Sequence, residues 1–441
     1  MVDILNVEHP NYDRDRHIIT PVYLSLRKRF KLKVRTCYHE QALWNLFLYR
    51  PKVLLMSYFH GAPQNVFLVE LCYKLGVKIV TLTTEGNYQR ENLDGYLWGW
   101  KQDKILLNDV LILWNQRSKG FVLEKYPELE DKIQVSGGTG FDRYKLLSYK
   151  SKGEFLKENN LNNYKRVIGI ASWGIFYHIE DEAYFSAFRD RFLSNYTDVQ
   201  IEMHRNDLRM MRRIYRELIV ANPDILFILR FHPLVRHVDQ SEFKGCTDLP
   251  NVFVSNKEVN TQYKIDELIA ISDLWIAYDS GTAIEAWLLN KTTILLNPSG
   301  IDFIRESAFV GSTIVQSQDE LQQSIKEYYE TGKIDDFGHK KKERERIIEE
   351  VIQYSDGKNH ERAAKITAQY VPDLRPAFVS YYCAFPYKRL FFQRVRYFLY
   401  KSWIYNQFRT STALEYWYPK NKNEIRDYED LYDKYIDSKI S

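Results

Sequence analysis

A chain of 441 residues exceeds the size at which one hydrophobic core stops growing, so two domains are expected. Hydrophobic residues make up 45% and charged residues 27%, as in a soluble globular protein, and a net charge of +4 is too small to imply nucleic-acid binding. Cys37, Cys72, Cys246 and Cys383 lie far apart with no C-x-x-C pair, which argues against a zinc module or a disulfide scaffold and for a reducing, cytoplasmic setting.

No signal peptide is visible at the N-terminus, and no run reaches the roughly 18 apolar residues of a transmembrane helix. From there the chain alternates apolar runs with amphipathic segments. Strands are expected at Asp3–Val7, Leu32–Thr36, Val53–Tyr58, Lys78–Thr83, Val110–Trp114 and Ile133–Ser136, with helices such as Val66–Leu75 between them. Residues 151–165 are polar and helix-breaking and read as a linker. The alternation then restarts, with strands at Val167–Ser172, Ile225–Phe231, Val252–Ser255, Leu274–Tyr278 and Thr293–Leu296. Helices are expected over Phe185–Leu193, Asp207–Ala221 and Thr261–Ser272, and from Thr282 onward. The outline is α/β: two Rossmann-like doubly wound domains facing a cleft, at 1–150 and 166–338, the GT-B outline that nucleotide-sugar epimerases also have. A long helix at 339–371 should close the second domain. The remaining tail, 372–441, is basic and aromatic: residues 376–420 carry seven bases and one acid, interleaved with Tyr, Phe and Trp.

Ligands of open α/β sheets bind beyond the C-terminal ends of the strands. In "LWIAYDSGTAIEAWLLN", Ser280, Gly281 and Thr282 stand at a helix start, where free N–H groups and hydroxyls suit a phosphate. Thr282 to Glu285 also fits a T-x-x-E capping box, which needs no ligand. "RFHP" ends another strand of the same half, so Arg230, His232 and Pro233 join this candidate nucleotide site, His232 as a phosphate donor or proton carrier. In the first half, Glu85 follows the fourth strand as a candidate general base, and Gly86 beside it permits a sharp turn on the acceptor side. The glycine turn at 137–140 brings Gly138 toward a donor phosphate, with Asp142 capping the helix after it. The first loop gathers His9, Arg14 and Arg16 for an acidic acceptor. Its Asp13-x-Asp15 only superficially matches a metal-binding D-x-D, so no metal is expected. His178, His204 and His237 have no partner at ligand spacing and read as loop or surface residues.

With Thr84-Glu85-Gly86, His232-Pro233, Ser280/Thr282 and "GGTGFDRY" in place, the chain resembles bacterial surface-carbohydrate glycosyltransferases of the GT-B type, similar to the polysialyltransferase, Kdo-transferase and CDP-glycerol-phosphotransferase groups, over residues 3 to 300. Thr84 departs from the first acid of the family motif, and "GTGFD" lacks the Pro and Arg of the related turn. The resemblance implies Glu85 as base, with His232 and Ser280/Thr282 on the phosphates of a CMP- or CDP-activated donor, and neither metal nor cofactor. The leading expectation is thus an inverting transferase moving a sugar, from a CMP donor before others, onto a capsule, lipopolysaccharide or similar cell-surface glycan. The alternatives are a nucleotide-sugar 2-epimerase, a polyol-phosphate transferase and a non-catalytic assembly scaffold. A peripheral contact of 376–420 with the inner face of the membrane is the partner expectation for the tail, with an aromatic packing arm or a partner interface as the alternative; an RNA-binding reading is weaker, because the strand-borne aromatic motifs of such modules are missing.

Overall fold

A computed structural model describes residues 1–9, 13–57, 63–91, 93–98, 104–174, 179, 197–232, 238–255, 263–278, 280–300, 310–377, 381, 384–392, 395 and 423–436. The chain divides into two units, Met1–Leu147 with Glu349–Ser441, and Ser148–Ile348.

The first unit is built on β1 (Ile4–Glu8), β2 (Val34–Tyr38), β3 (Val53–Met56), β4 (Lys78–Leu82), β5 (Val110–Leu113) and β6 (Ile133–Val135). All pair in parallel, in the order β2-β1-β3-β4-β5-β6. The strands read as apolar runs because both faces are covered. Ile4, Val53, Leu55, Val80 and Leu82 pack on one face with α1 (Asp13–Lys28). Leu5, Val7, Leu54, Met56 and Ile79 pack on the other with α2 (His39–Tyr49) and α3 (Pro63–Leu75). Alternate residues of each strand thus feed opposite cores. Two further helices are α4 (Leu93–Trp98) and α5 (Gln116–Lys125), and the short α6 (Arg143–Leu146) follows the glycine turn.

The second unit repeats the plan with β7 (Arg166–Ala171), β8 (Ile225–Arg230), β9 (Val252–Ser255), β10 (Leu274–Ala277), β11 (Thr292–Leu296) and β12 (Thr313–Val315), all parallel, in the order β12-β11-β10-β7-β8-β9. Its helices among the described residues are α7 (Lys152–Glu158), α8 (Asp198–Ala221), α9 (Ile265–Ile271), α10 (Thr282–Leu288), α11 (Gln318–Thr331), α12 (Asp335–His339) and most of α13 (Lys341–Ile352).

Three expectations need correcting here. The segment 151–165 is not an open linker: Ser151 and Glu154 form a capping box that starts α7, and buried Phe155 packs edge-on against Phe253 and Tyr263. The long helix expected over 339–371 is broken, because Gln353 (φ 75°) and Gly357 (φ 76°) are left-handed. Beyond the break, α14 (Asn359–Gln369) belongs to the first unit, where Ala363 and Ala364 pack into the α1 core. Asp142 caps this distant helix, accepting from the His360 N–H and from its ring Nδ1, both at 2.7 Å. Most of 376–420 lies outside the described residues. After it, α15 (Glu424–Asp433) returns to α1, burying Tyr428 and Tyr432 and pairing Arg27 with Glu429 and Lys28 with Asp433. The helix expected at Phe185–Leu193 also lies outside the described residues.

Candidate functional site

The strand order of the second sheet reverses between β7 and β10, the point where the flanking loops part to opposite faces and leave a crevice. Ser172, Trp173 and Gly174 follow β7; Tyr278 and then Ser280–Gly281–Thr282 follow β10; the neighbouring β8 ends on Arg230, Phe231 and His232. His232 lies against Gly174, where an added Cβ would come 2.4 Å from ring Nδ1. Only glycine admits the imidazole there. His232 thus stands against the loop after β7, with Arg230 at the end of β8 and Ser280 after β10, while Pro233 lies outside the described residues.

The turn itself differs from expectation. Trp275 Nε1 donates to Thr282 Oγ1 at 3.0 Å, and the hydroxyls of Ser280 and Thr282 are 3.0 Å apart. The N–H groups of Thr282, Ala283 and Ile284 bond to Ser280 Oγ, Ser280 O and Gly281 O. Those backbone donors are spent inside the turn, and the Ser280 hydroxyl itself accepts from the Thr282 N–H. The capping box is absent: Gly281 is the N-cap, and Thr282 stands inside α10 with its hydroxyl taken by Trp275. Glu285 is half-buried in the first turn of α10.

A buried polar network stands behind this turn. Tyr278 Oη accepts from His204 Nδ1 at 2.8 Å and donates to Asp207 Oδ2 at 2.5 Å, and Ser299 Oγ donates to the same carboxylate oxygen at 3.3 Å. The Trp173 ring centroid lies 4.8 Å from His204 and 5.1 Å from Tyr278. The network ties α8 and the loops after β7, β10 and β11 together. His204 is thus an interior residue, not a surface one. It shares the inward face of α8 with Ile201, Leu208 and Met211, a helical period that shows only once the Thr197–Gln200 capping box places the helix start. His178 and His237 lie outside the described residues. Glu242, fully buried, accepts from Ser172 Oγ (3.0 Å) and the Trp173 N–H (2.8 Å), holding the loop after β7. Burial pushes its carboxyl up to about 7, against those hydrogen bonds. Nothing in the spacing of the sequence marks Glu242.

In the first unit the loop after β4 is held rigidly. A Cβ on Gly86 would come 2.2 Å from the Trp114 ring. The Gly86 carbonyl accepts from Ser118 Oγ (2.8 Å) and Asn115 Nδ2 (3.3 Å), and Trp114 Nε1 donates to Thr83 O (2.8 Å). Glu85 is thereby turned outward, its side chain 61% exposed, and pairs with Arg14 Nη1 at 2.9 Å. Arg14 Nε is also 3.7 Å from Asp15 Oδ1. Burial raises the Asp15 carboxyl to about 6, with Arg14 opposing and Glu85 adding to the rise. A base candidate from the loop after β4 is thus brought together with a guanidinium and a second carboxyl from the start of α1, after β1.

Two expected contacts are not available there. Arg16, read as acceptor-binding, is wholly buried: it pairs with Glu8, donates to His9 O (3.0 Å) and Glu424 (3.3 Å), and lies over the Tyr38 ring. Its guanidinium ties β1, β2 and α15 together. Gly138, read as phosphate-binding, spends its N–H on Ile352 O at 2.9 Å and packs against Phe141 in the first unit. His9 is buried and neighbours His39, whose ring is lowered to about 3 by burial and by that neighbour. Among the described residues no three His, Cys, Asp or Glu side chains group as metal ligands.

No protein-family model and no curated protein matches this sequence. Solved structures do. The chain is similar to a Staphylococcus aureus MnaA–UDP co-structure, at 15% identity and TM-score 0.53 over 86% of this chain and 99% of that one. It is similar to a UDP-GlcNAc 2-epimerase from Neisseria meningitidis bound to UDP-GlcNAc, at 16% and 0.50 over 83% and 99%. A further UDP-N-acetylglucosamine 2-epimerase matches at 13% and 0.51 over 85% and 98%. At these identities what is shared is the fold, the GT-B-like pair of parallel sheets.

Proposed function

We propose that the chain is a nucleotide-sugar enzyme and that it inverts the sugar at C2 without an acceptor. The observation that carries this reading is the trio in the first unit: Glu85 on Arg14, and Asp15 on the other side of the same guanidinium. An acceptor-free inversion needs a base and a second titrating group about one sugar, and transfer needs only the base. The fold shared with structures that hold UDP or UDP-GlcNAc supports the nucleotide half of the reading.

The C2–H bond of a sugar is not acidic by itself, so its proton leaves as the C1–O bond to the diphosphate breaks. Glu85 takes that proton, the C–H electron pair forms the C1=C2 bond, and the C1–O pair leaves with the nucleotide. Return of a proton to the opposite face of C2 and re-addition of the diphosphate at C1 complete the inversion. In the first unit Asp15, raised to about 6, is the second proton-carrying group, and in the second unit His232, Arg230 and the Ser280 hydroxyl are the groups offered to a diphosphate. Transfer of a sugar from a CMP donor is the second reading, favoured by the exposure of Glu85, which leaves room for an acceptor hydroxyl.

Acceptor-free incubation of the full chain with UDP-GlcNAc, followed by NMR, separates these readings. Epimer should form with wild type and not with Glu85→Gln. Turnover only after a glycan is added would give the chain to transfer, and no nucleotide binding at millimolar concentration would make it a scaffold. By calorimetry, His232→Ala should weaken UDP affinity about tenfold, the loss of one charge-assisted contact.

A further inference from the structure

The described part of the basic-aromatic segment has two sides. Tyr381 is buried, with its ring centroid 5.6 Å from Phe47 of α2, and Phe385 lies 4.8 Å from the same ring. Leu390 packs on the same core. These contacts anchor the segment to the first unit. On the other side Tyr387, Phe391 and Phe392 are each about two-thirds exposed, with exposed Lys388 and Arg389 among them. The Arg389 guanidinium lies over the Phe67 ring of α3. On α2, Trp44 and Leu48 stand one turn apart and point outward, 60% and 55% exposed.

Which partner fits follows from charge and composition. Residues 376–420 carry seven bases and one acid. A second copy would set exposed Lys388 and Arg389 of this face against their own copies about a two-fold axis, base against base. Bases interleaved with Trp, Tyr and Phe match a headgroup layer, which is anionic outside, apolar a few ångström deeper, and makes no demand for shape.

We propose that this face of the first unit docks on an anionic bilayer surface. Trp44, Tyr387, Phe391 and Phe392 enter the headgroup boundary, and Lys388 and Arg389 meet lipid phosphates. Phe67, under Arg389, lies near the start of α3, which follows the C-terminal end of β3, so the docking face lies toward that end of the first sheet, the end that carries Glu85. The enzyme would then work beside a membrane, whichever nucleotide-sugar reaction it runs.

Flotation of the full chain with phosphatidylcholine vesicles, with and without about one-third phosphatidylglycerol, tests this. Binding is expected only to the anionic vesicles, weakening with salt. Lys388→Gln and Arg389→Gln should each lower it about fivefold, and Phe391→Ser with Phe392→Ser at least tenfold, with UDP affinity and melting midpoint unchanged. No flotation with anionic vesicles, or equal flotation with neutral ones, would overturn the proposal. So would a dimer by light scattering that the two serines abolish, which would assign the face to a second copy.

Discussion

The Gly86 Cα lies against the indole of Trp114, leaving no room for a methyl group. Gly86→Ala should destabilise the first unit by about 1–3 kcal/mol through forced repacking and displace Glu85. A lower urea midpoint at unchanged slope is the expected reading. In the second unit, Tyr278→Phe would leave the buried Asp207 carboxylate without its phenol donor. A loss of about 1–3 kcal/mol is expected, together with weaker UDP binding, because the network backs the Ser280 turn. Glu242 gives a pH signature. Its folded carboxyl holds a proton up to about 7, against an ordinary 4.5, so the folded state binds more protons across that window. Stability therefore falls as pH rises from about 4.5 to 7, by at most about 3 kcal/mol, and Glu242→Gln should flatten that slope in denaturant titrations. The places of Glu85, His232 and Ser280 after β4, β8 and β10 were legible because strand ends are legible. Trp114 and Glu242 were not, since their contacts join residues far apart in sequence.

At the scale of elements, most strands could be read from their apolar runs, because a parallel sheet covered on both faces leaves no polar alternation to confuse the pattern. β12 went unread: three residues, Thr313–Val315, are too few to show a period. Helix ends were less legible. The capping boxes at Ser151 and Thr197 are written in the sequence, yet the polar residues around them look like a loop. The destination of α14 and α15 was not legible at all. Their apolar faces fit any core, and polar partners such as Asp142 for α14 and Arg16 for α15 select the first unit. Truncation after residue 422 should consequently unfold the first unit. It removes Tyr428 and Tyr432 from the core, at about 3–5 kcal/mol for a large aromatic, along with the Arg16–Glu424 contact. Far-UV circular dichroism and limited proteolysis would register the loss, and a full-length melting profile would contradict it.

Over the whole molecule, two parallel sheets each bring polar groups to the C-terminal ends of their strands, and the groups differ in kind. The first unit presents carboxyls around a guanidinium; the second presents an imidazole and a guanidinium at the end of β8 and a hydroxyl after β10. That division suits proton transfer in one unit and diphosphate binding in the other, and no helix among the described residues is long and apolar enough to cross a membrane. The most direct test of the central claim is hydrogen exchange at C2 of UDP-GlcNAc in deuterium oxide with no acceptor present. The account predicts deuterium at C2 in both epimers with wild type, and none with Glu85→Gln. Retention of the C2 proton by a chain that binds UDP would contradict it.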